Sequence, residues 1–412
     1  MNKYKILNDP VHGFISIPNN IAFELIEHPY FQRLRRITQM GMAHYVYPGA
    51  IHTRFHHALG AMHLMQKAIS VLRTKGIEVT KEEEEGALVA ILLHDIGHGP
   101  YSHALEYVMT ADINHEFFSE LIMQSLNERF EGRLSTALSI FQGNYPKPFL
   151  HQLVSSQLDV DRLDYLARDS FFSGVHEGHL STERIISMLN VVDNNLVVEE
   201  KGLYSIEKYI ISRRLMYWQV YLHKTAVCAE SILVAIVKRA KALALQGHHL
   251  PCSEALGHFL NSNITKADFA IDPLHIQQYC QLDDYDVMGA IKQWMRNKDA
   301  LLAYLCRCLV ERKLFKVRIH KKPVTEAKWE QKKATIINEM GVTASDVDYL
   351  LFSGPLSNVA YKAGVDGIKI LTKKGKVKDF IEVSDQFTKS NLAKTVEKYY
   401  LCYPKVFSEI SR

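Results

Sequence analysis

The chain has 412 residues, 47% hydrophobic and 23% charged. These are the proportions of a folded globular protein rather than a disordered or fibrous one, and the length suits two or three domains of about 150 residues. A formal charge of +4 argues against a chain built as a polycation for nucleic acid, leaving only local basic patches to meet phosphates. Six cysteines with no CxxC pair argue against a zinc ribbon or a disulfide framework and fit a reducing compartment.

The N-terminus, MNKYKILNDP, is polar and reaches Asp-Pro at once, unlike a signal peptide. The longest apolar runs, ALVAILL and ILVAIV, fall far below the ~18 residues of a membrane span. The expectation is a soluble cytoplasmic protein with no membrane partner. Residues 4–17 read as extended, with turn signals at Asp9-Pro10 and Gly13 and a short strand FISI. From Ile21 to Met40 the apolar spacing is helical, broken at Pro29. Helices are predicted over 55–74, 82–96, 115–129, 151–168 and 205–245, the last with the longest unbroken pattern. KEEEEG, residues 81–86, reads as a solvated helix start with acids favoured by the helix dipole. VVDNNLVVEE is a hairpin turning at Asn194-Asn195. Helices follow at 285–312 and 324–340, then the strand-like GIKILTKKGKVKDFIEVS, turning at Gly375. The chain divides into a mostly helical body, 1–250, with an N-terminal strand segment, and a smaller α+β C-terminal region, 251–412.

Eleven of the 20 histidines lie within residues 1–115, and histidine is the commonest metal ligand and a proton carrier near neutral pH. In LLHDIGHGPYSH, residues 92–103, a helix apolar nearly all round is closed by His94 and Asp95 before Gly97, Gly99 and Pro100 stop it. An isolated His-Asp pair is usually a satisfied core pair; company gives it weight. In HTRFHHALGAMH, residues 52–63, His57 begins a helix just after Arg54, whose guanidinium is shaped to fork onto phosphate oxygens. In QLDVDRLDYLARDS, residues 157–170, Asp161, Tyr165 and Asp169 recur every four residues and share one helical face. His57, His94, Asp95 and Asp161 together offer two nitrogens and two carboxylates. That mixture suits one divalent ion, Mn, Mg, Fe, Ni or Zn, without choosing among them. Water coordinated to such an ion becomes a nucleophile near neutral pH. His94 and His98 also have the i, i+4 spacing of zinc proteases. Here, however, Asp95 replaces that motif's glutamate, and the glycines would break its helix.

The set His57, His94-Asp95, Asp161 resembles the H…HD…D signature of the HD-domain metal-dependent phosphohydrolases. Within them NDPVHGFI, PGAIHTRFHHALG, LLHDIGHGPYSH, NHE and DVDRLDYLARDS resemble the deoxynucleoside triphosphate triphosphohydrolases, over roughly residues 4–245. The resemblance implies a mostly α fold, an HD-domain helical core with a small β-hairpin and the smaller α+β C-terminal region. It implies one metal ion per subunit on His57, His94, Asp95 and Asp161. The reaction implied is attack of an activated water at the α-phosphorus of a dNTP, releasing deoxynucleoside and tripolyphosphate. His103, Glu106, His115 and Glu116 fall where the family places its acid/base histidines and their carboxylate partners, and His98 where a metal-linked water or phosphate is contacted. A leaving 5′-oxygen needs a proton, and an imidazole held by a carboxylate supplies one near pH 7. Arg54, Arg213, Tyr221, His223 and Lys224 match positions that hold phosphates and sugar, and Gln39, Met40, Arg162, Tyr165 and Asp169 match others around the substrate. Lys5, Asn8, Gln32 and Arg35 match an activating nucleotide site. Three departures stand out: Glu106 and Glu27 replace aspartates of the animal members, and Arg162 replaces a lysine.

Two other functions stay open on the sequence. One is an HD phosphohydrolase acting on a nucleoside monophosphate or an alarmone; the other is a non-catalytic nucleotide or nucleic-acid binder that kept the scaffold. Family members assemble as dimers or tetramers, so a homo-oligomer is expected.

Overall fold

The computed structural model describes residues 5–18, 20–110, 113–359, 361–362, 364, 367–388 and 396–405, so Tyr4 of the expected extended segment lies outside them. Ile6–Asp9 pairs antiparallel with Gly13–Ser16, and the helix Asn20–Glu27 follows, ending before Pro29 as expected.

Most of the rest is helical, and six helices position the site. α1 (Arg54–Thr74) starts at Thr53, whose N–H donates to His56 Nδ1 at 3.2 Å, so His56 serves as part of a cap. α2 (Lys81–Leu93) starts with a reciprocal capping box between Thr80 and Glu83. Glu83 does not belong to a solvated run. It is buried and accepts hydrogen bonds from Tyr145 Oη and Lys147 Nζ. Gly86 to Leu93 are all buried, and α2 packs on α1 and on the helix Ser135–Phe141. α3 (His115–Arg129) is capped by the side chain of Asn114.

Three predicted helices are broken, each where side chains compete for backbone hydrogen bonds. The expected 151–168 helix is two, Pro148–Val154 and α4 (Val160–Ser173). Between them Asp159 accepts from the N–H groups of Ser156 and Arg162, both at 2.7 Å, and restarts the helix. The long 205–245 pattern is α5 (Leu203–Met216), a wide turn Tyr217–Tyr221, and α6 (Lys224–Leu245), bent by 55° at the junction. His223 is extended there, and its Nδ1 accepts from the Thr225 N–H at 3.2 Å. The 285–312 pattern splits into Asp284–Trp294 and Ala300–Val310, the second capped by Asp299. No single helix among the described residues is long and apolar enough to cross a membrane.

The hairpin turns one residue earlier than expected. Asp193 and Asn194 have positive φ, and Val192 pairs with Asn195. Its second strand, Asn195–Glu199, pairs in parallel with Lys369–Leu371, which pairs antiparallel with Val377–Asp379 around Gly375. The following FIEV is a helical turn capped by Asp379, not strand. Lys316–His320, Val396–Tyr403 and Phe352–Asn358 form a second sheet with Val396–Tyr403 central. Residues from Ile15 to Tyr403 share one apolar cluster, so the chain after residue 250 completes the sheet and core begun before it.

Candidate metal centre

α1 buries His57 completely, the end of α2 presents His94 and Asp95, and the first turn of α4 presents Asp161. The four converge. His57 Nε2 is 3.0 Å from Asp161 Oδ1, 3.4 Å from His94 Nε2 and 3.7 Å from Asp95 Oδ2. His94 Nε2 is 3.4 Å from Asp161 Oδ1 and 3.3 Å from Asp95 Oδ1.

What the outward ring nitrogens touch fixes the tautomers. His57 Nδ1–H donates to Asp164 Oδ2 at 2.8 Å, and His94 Nδ1–H to the Ile91 carbonyl at 2.7 Å. Both Nε2 atoms therefore turn lone pairs toward the carboxylates. Such a gathering of electron pairs repels itself unless positive charge is shared among them. The imbalance shows in His57: against the burial that opposes it, Asp161 and Asp164 push the imidazole up to about 10. Asp161 is held well below the ordinary carboxylate range, because its close contacts with His57 and His94 favour a proton on the imidazoles rather than on the carboxyl and outweigh burial. A proton relieves one contact; a divalent cation relieves all of them. His57, His94 and Asp161 lie close enough together to hold such an ion, with Asp95 beside them.

A buried layer behind the ligands was not foreseen from the sequence. Asp164 takes His57 on one side, His12 Nε2–H at 2.6 Å and Arg168 at 2.9 Å and 3.0 Å on the other. Arg168 continues to Asp9 at 2.7 Å, which ties in the N-terminal hairpin. α1 and α4 approach so closely here that a Cβ on Gly60 would lie 2.0 Å from Asp164 Oδ1 and 2.2 Å from Arg168. The available signal was the i, i+4 pair Asp164 and Arg168 within the quoted DRLDYLARD block.

A second cluster adjoins the first. His98 is buried, with Nε2 3.4 Å from Asp95 Oδ1, and its ring stacks on His115 at 3.9 Å, with His103 edge-on to both. Glu106 binds both outer histidines, accepting from His115 Nδ1–H at 2.6 Å and from His103 Nδ1–H at 3.1 Å. These bonds hold Glu106 far below its ordinary range, although burial opposes them. Glu116, expected as a partner for these histidines, is exposed, and no ion pair joins it among the described residues.

The expected substrate residues divide. Arg54 is buried and donates to Asp95 Oδ2 and to Ser102 Oγ. Tyr221 Oη donates to Asp169 Oδ2 at 2.6 Å, and His52 Nε2–H to Asp169 Oδ1 at 2.7 Å. Tyr165 stands with ring centroids 6.5 Å from His57 and 6.3 Å from Tyr221, and its hydroxyl and Gln39 Oε1 are buried without a partner among the described residues. Met40 is buried beside Gln39, and Arg213 lies within electrostatic reach of Tyr165. Arg162 instead donates to the Ser156 carbonyl and pairs with Asp159. His223 caps α6, and Lys224 is exposed at its start. Of the expected activator residues, Gln32 accepts from Arg35 Nε at 2.8 Å, Lys5 sits 3.7 Å over the Phe23 ring near Glu27, and Asn8 lies in the first strand.

Comparison with known proteins adds the context. Family models match an HD domain over residues 54–169 and an HD associated region over residues 180–250. A Bacillus subtilis protein, YwfO, is 32% identical over 98% of this chain and 93% of its own length. The deoxynucleoside triphosphate triphosphohydrolase SAMHD1 of Homo sapiens is 29% identical over 56% of this chain, and its homolog from Dictyostelium discoideum 31% over 56%. The matches span 43% and 48% of those two proteins. A phosphohydrolase from Bacteroides thetaiotaomicron has a crystal structure that matches 97% of this chain and 100% of its own, with a TM-score of 0.94 at 46% identity.

Proposed function

The chain belongs to the HD-domain phosphohydrolases, and from that premise we propose that it hydrolyses deoxynucleoside triphosphates at the α-phosphorus, releasing deoxynucleoside and tripolyphosphate. The observation that carries this reading is the continuity of the two clusters. The ligand set His57, His94, Asp95 and Asp161 adjoins a carboxylate-held histidine pair through His98, 3.4 Å from Asp95. A phosphate placed between them meets charge neutralisation on one side and a proton donor on the other. The human and Dictyostelium relatives, named as deoxynucleoside triphosphate triphosphohydrolases, support the same substrate.

His57, His94, Asp95 and Asp161 would hold a divalent ion (Mn, Mg, Fe, Ni or Zn), which would supply neutralisation of phosphate charge and activation of water near neutral pH. The chain's own groups do the rest. Glu106 fixes His115 through Nδ1 and leaves Nε2 free to hand a proton to the departing 5′-oxygen. His103, 69% exposed on its side chain and held by the same carboxylate, renews that proton from solvent. Buried His98 donates to a phosphate oxygen, and Arg54, anchored on Asp95, adds positive charge. Asp169, pinned by His52 and Tyr221, accepts a sugar hydroxyl, and the unpartnered Gln39 and Tyr165 groups complete that contact. A tyrosine ring stacked under the sugar would reject a 2′-hydroxyl sterically, which favours deoxyribose. In keeping with the family resemblance the enzyme acts as a homo-oligomer, and its free cysteines suit the reducing cytoplasm.

The test is product analysis. Each dNTP, NTP and NMP is incubated with the protein and Mn²⁺ or Mg²⁺, and the released phosphate is sized by ion chromatography. Inorganic tripolyphosphate from dNTPs alone is the expected result. Orthophosphate from monophosphates, or pyrophosphate from triphosphates, would replace the reading with another nucleotide phosphohydrolase.

A further inference from the structure

Residues 273–284 lie beyond the matched family regions, yet they meet the turn that follows His94-Asp95. Tyr279, at the end of the helix Pro273–Tyr279, donates its hydroxyl to the Gly97 carbonyl at 2.7 Å. Its ring stacks on Phe118 of α3 at 3.9 Å and 11°. From the N-terminal side, Arg33 donates to the neighbouring Ile96 carbonyl at 2.7 Å. The same guanidinium reaches the Leu282 carbonyl at 3.0 Å and that of Tyr279 at 3.4 Å. The turn thus has two consecutive carbonyls held by two side chains that are tied to each other. The other wall is equally close: a Cβ on Gly97 would lie 2.2 Å from the Ser119 N atom and 2.3 Å from the His115 carbonyl.

Arg33 is 1% exposed, and no ion pair to a carboxylate is formed by it among the described residues. Burying a charge answered by carbonyl dipoles and, 5.5 Å away, the Tyr279 ring, with no carboxylate, is costly, and an apolar side chain of that volume would serve stability as well or better. A planar fork that joins residues 96, 279 and 282 is what an apolar side chain cannot supply. The turn it holds carries Asp95 at one end and His98 at the other, the two residues whose 3.4 Å contact links the metal cluster to the proton-handling cluster.

We propose that Arg33 and Tyr279 are positioning residues for the metal centre, clamping the Ile96 and Gly97 carbonyls so that Asp95 and His98 keep their spacing. The inference rests on the reading of His57, His94, Asp95 and Asp161 as metal ligands. It gives the segment around Tyr279 a part in the site.

Tyr279→Phe is the sharpest test, because it keeps the ring stack and removes one hydroxyl. Mn²⁺ affinity of the full chain is measured by chelator competition, and the thermal midpoint of the metal-free protein beside it. The expected result is a 10- to 100-fold loss of Mn²⁺ affinity, the range for residues that orient ligands, with a midpoint within about 2 °C of wild type. Arg33→Lys keeps the charge and loses the fork, and the same loss is expected of it. It decides the matter if Tyr279→Phe fails to fold. A variant that binds Mn²⁺ like wild type, whether or not its midpoint falls, overturns the clamp while the ligand assignment stands. A wild-type protein that binds no divalent ion overturns both.

Discussion

A centre built on imidazoles works only when each ring is held in one tautomer and one orientation. For His57 that task falls to Asp164, itself held by His12 and Arg168. Asp164→Asn keeps the shape and removes the charge, so Mn²⁺ affinity should fall by about 10- to 100-fold in calorimetric titration. Asp164→Ala should do more: Arg168 keeps only Asp9, and breaking a buried pair costs about 3–5 kcal/mol. Urea unfolding of the metal-free protein reads that loss. Asp161→Ala should abolish metal binding and turnover together while triphosphate binding survives in part. Normal turnover in that variant would remove Asp161 from the ligand set.

At the scale of the element, Asp161 owes its position to where α4 begins. Asp159 gathers the N–H groups of Ser156 and Arg162 and starts the helix two residues ahead of the ligand. Asp159→Ala should cost about 1–2 kcal/mol, as lost caps do. It should also speed amide exchange in the first turn of α4 and weaken Mn²⁺ binding, with Asp159→Asn recovering most of both. Equal exchange in the alanine variant would show that tertiary packing alone holds the turn. Asp159 also shows what the pattern of apolar residues hides. The 151–168 periodicity runs straight across Ser155–Asp159, because spacing records which face is buried and not where a side chain takes the backbone's hydrogen bonds. The same holds at His223, where the break turns Tyr221 onto Asp169.

For the whole molecule, the segment after residue 250 is joined to the site rather than appended to it. Asp284 accepts from the Tyr101 N–H at 2.7 Å and from Thr38 N–H and Oγ–H at 2.9 and 2.7 Å, fastening Asp284–Trp294 to the segment before α1 and to the one after the His94-Asp95 turn. Burial, with Asp283 adding to it, pushes the Asp284 carboxyl up to about 6 against those donors. A carboxyl raised above its ordinary 3.8 holds a proton in the folded chain that the unfolded chain has lost. Its contribution to stability is therefore full below pH 4 and declines as pH rises through about 6. In unfolding measurements across pH 4–7 the stability of the metal-free wild type should fall by on the order of 3 kcal/mol more than that of Asp284→Asn. Parallel pH profiles for the two proteins would refute it.

From sequence alone came the mostly helical fold, the extended N-terminal segment with its turn, and the quartet His57, His94, Asp95 and Asp161 that is proposed to hold the metal. Each of these is written in local spacing or in short blocks whose chemistry is recognisable without neighbours. Only the tertiary structure decided that Asp164, Arg168, His12 and Asp9 stand behind the ligands, that Glu106 serves both His103 and His115, and that Arg33 and Tyr279 meet over Gly97. Those contacts join residues as many as 246 positions apart. No spacing rule reaches that far: which distant surfaces meet is set by the packing of the whole core, whereas which face of a helix is buried is set by its own few turns.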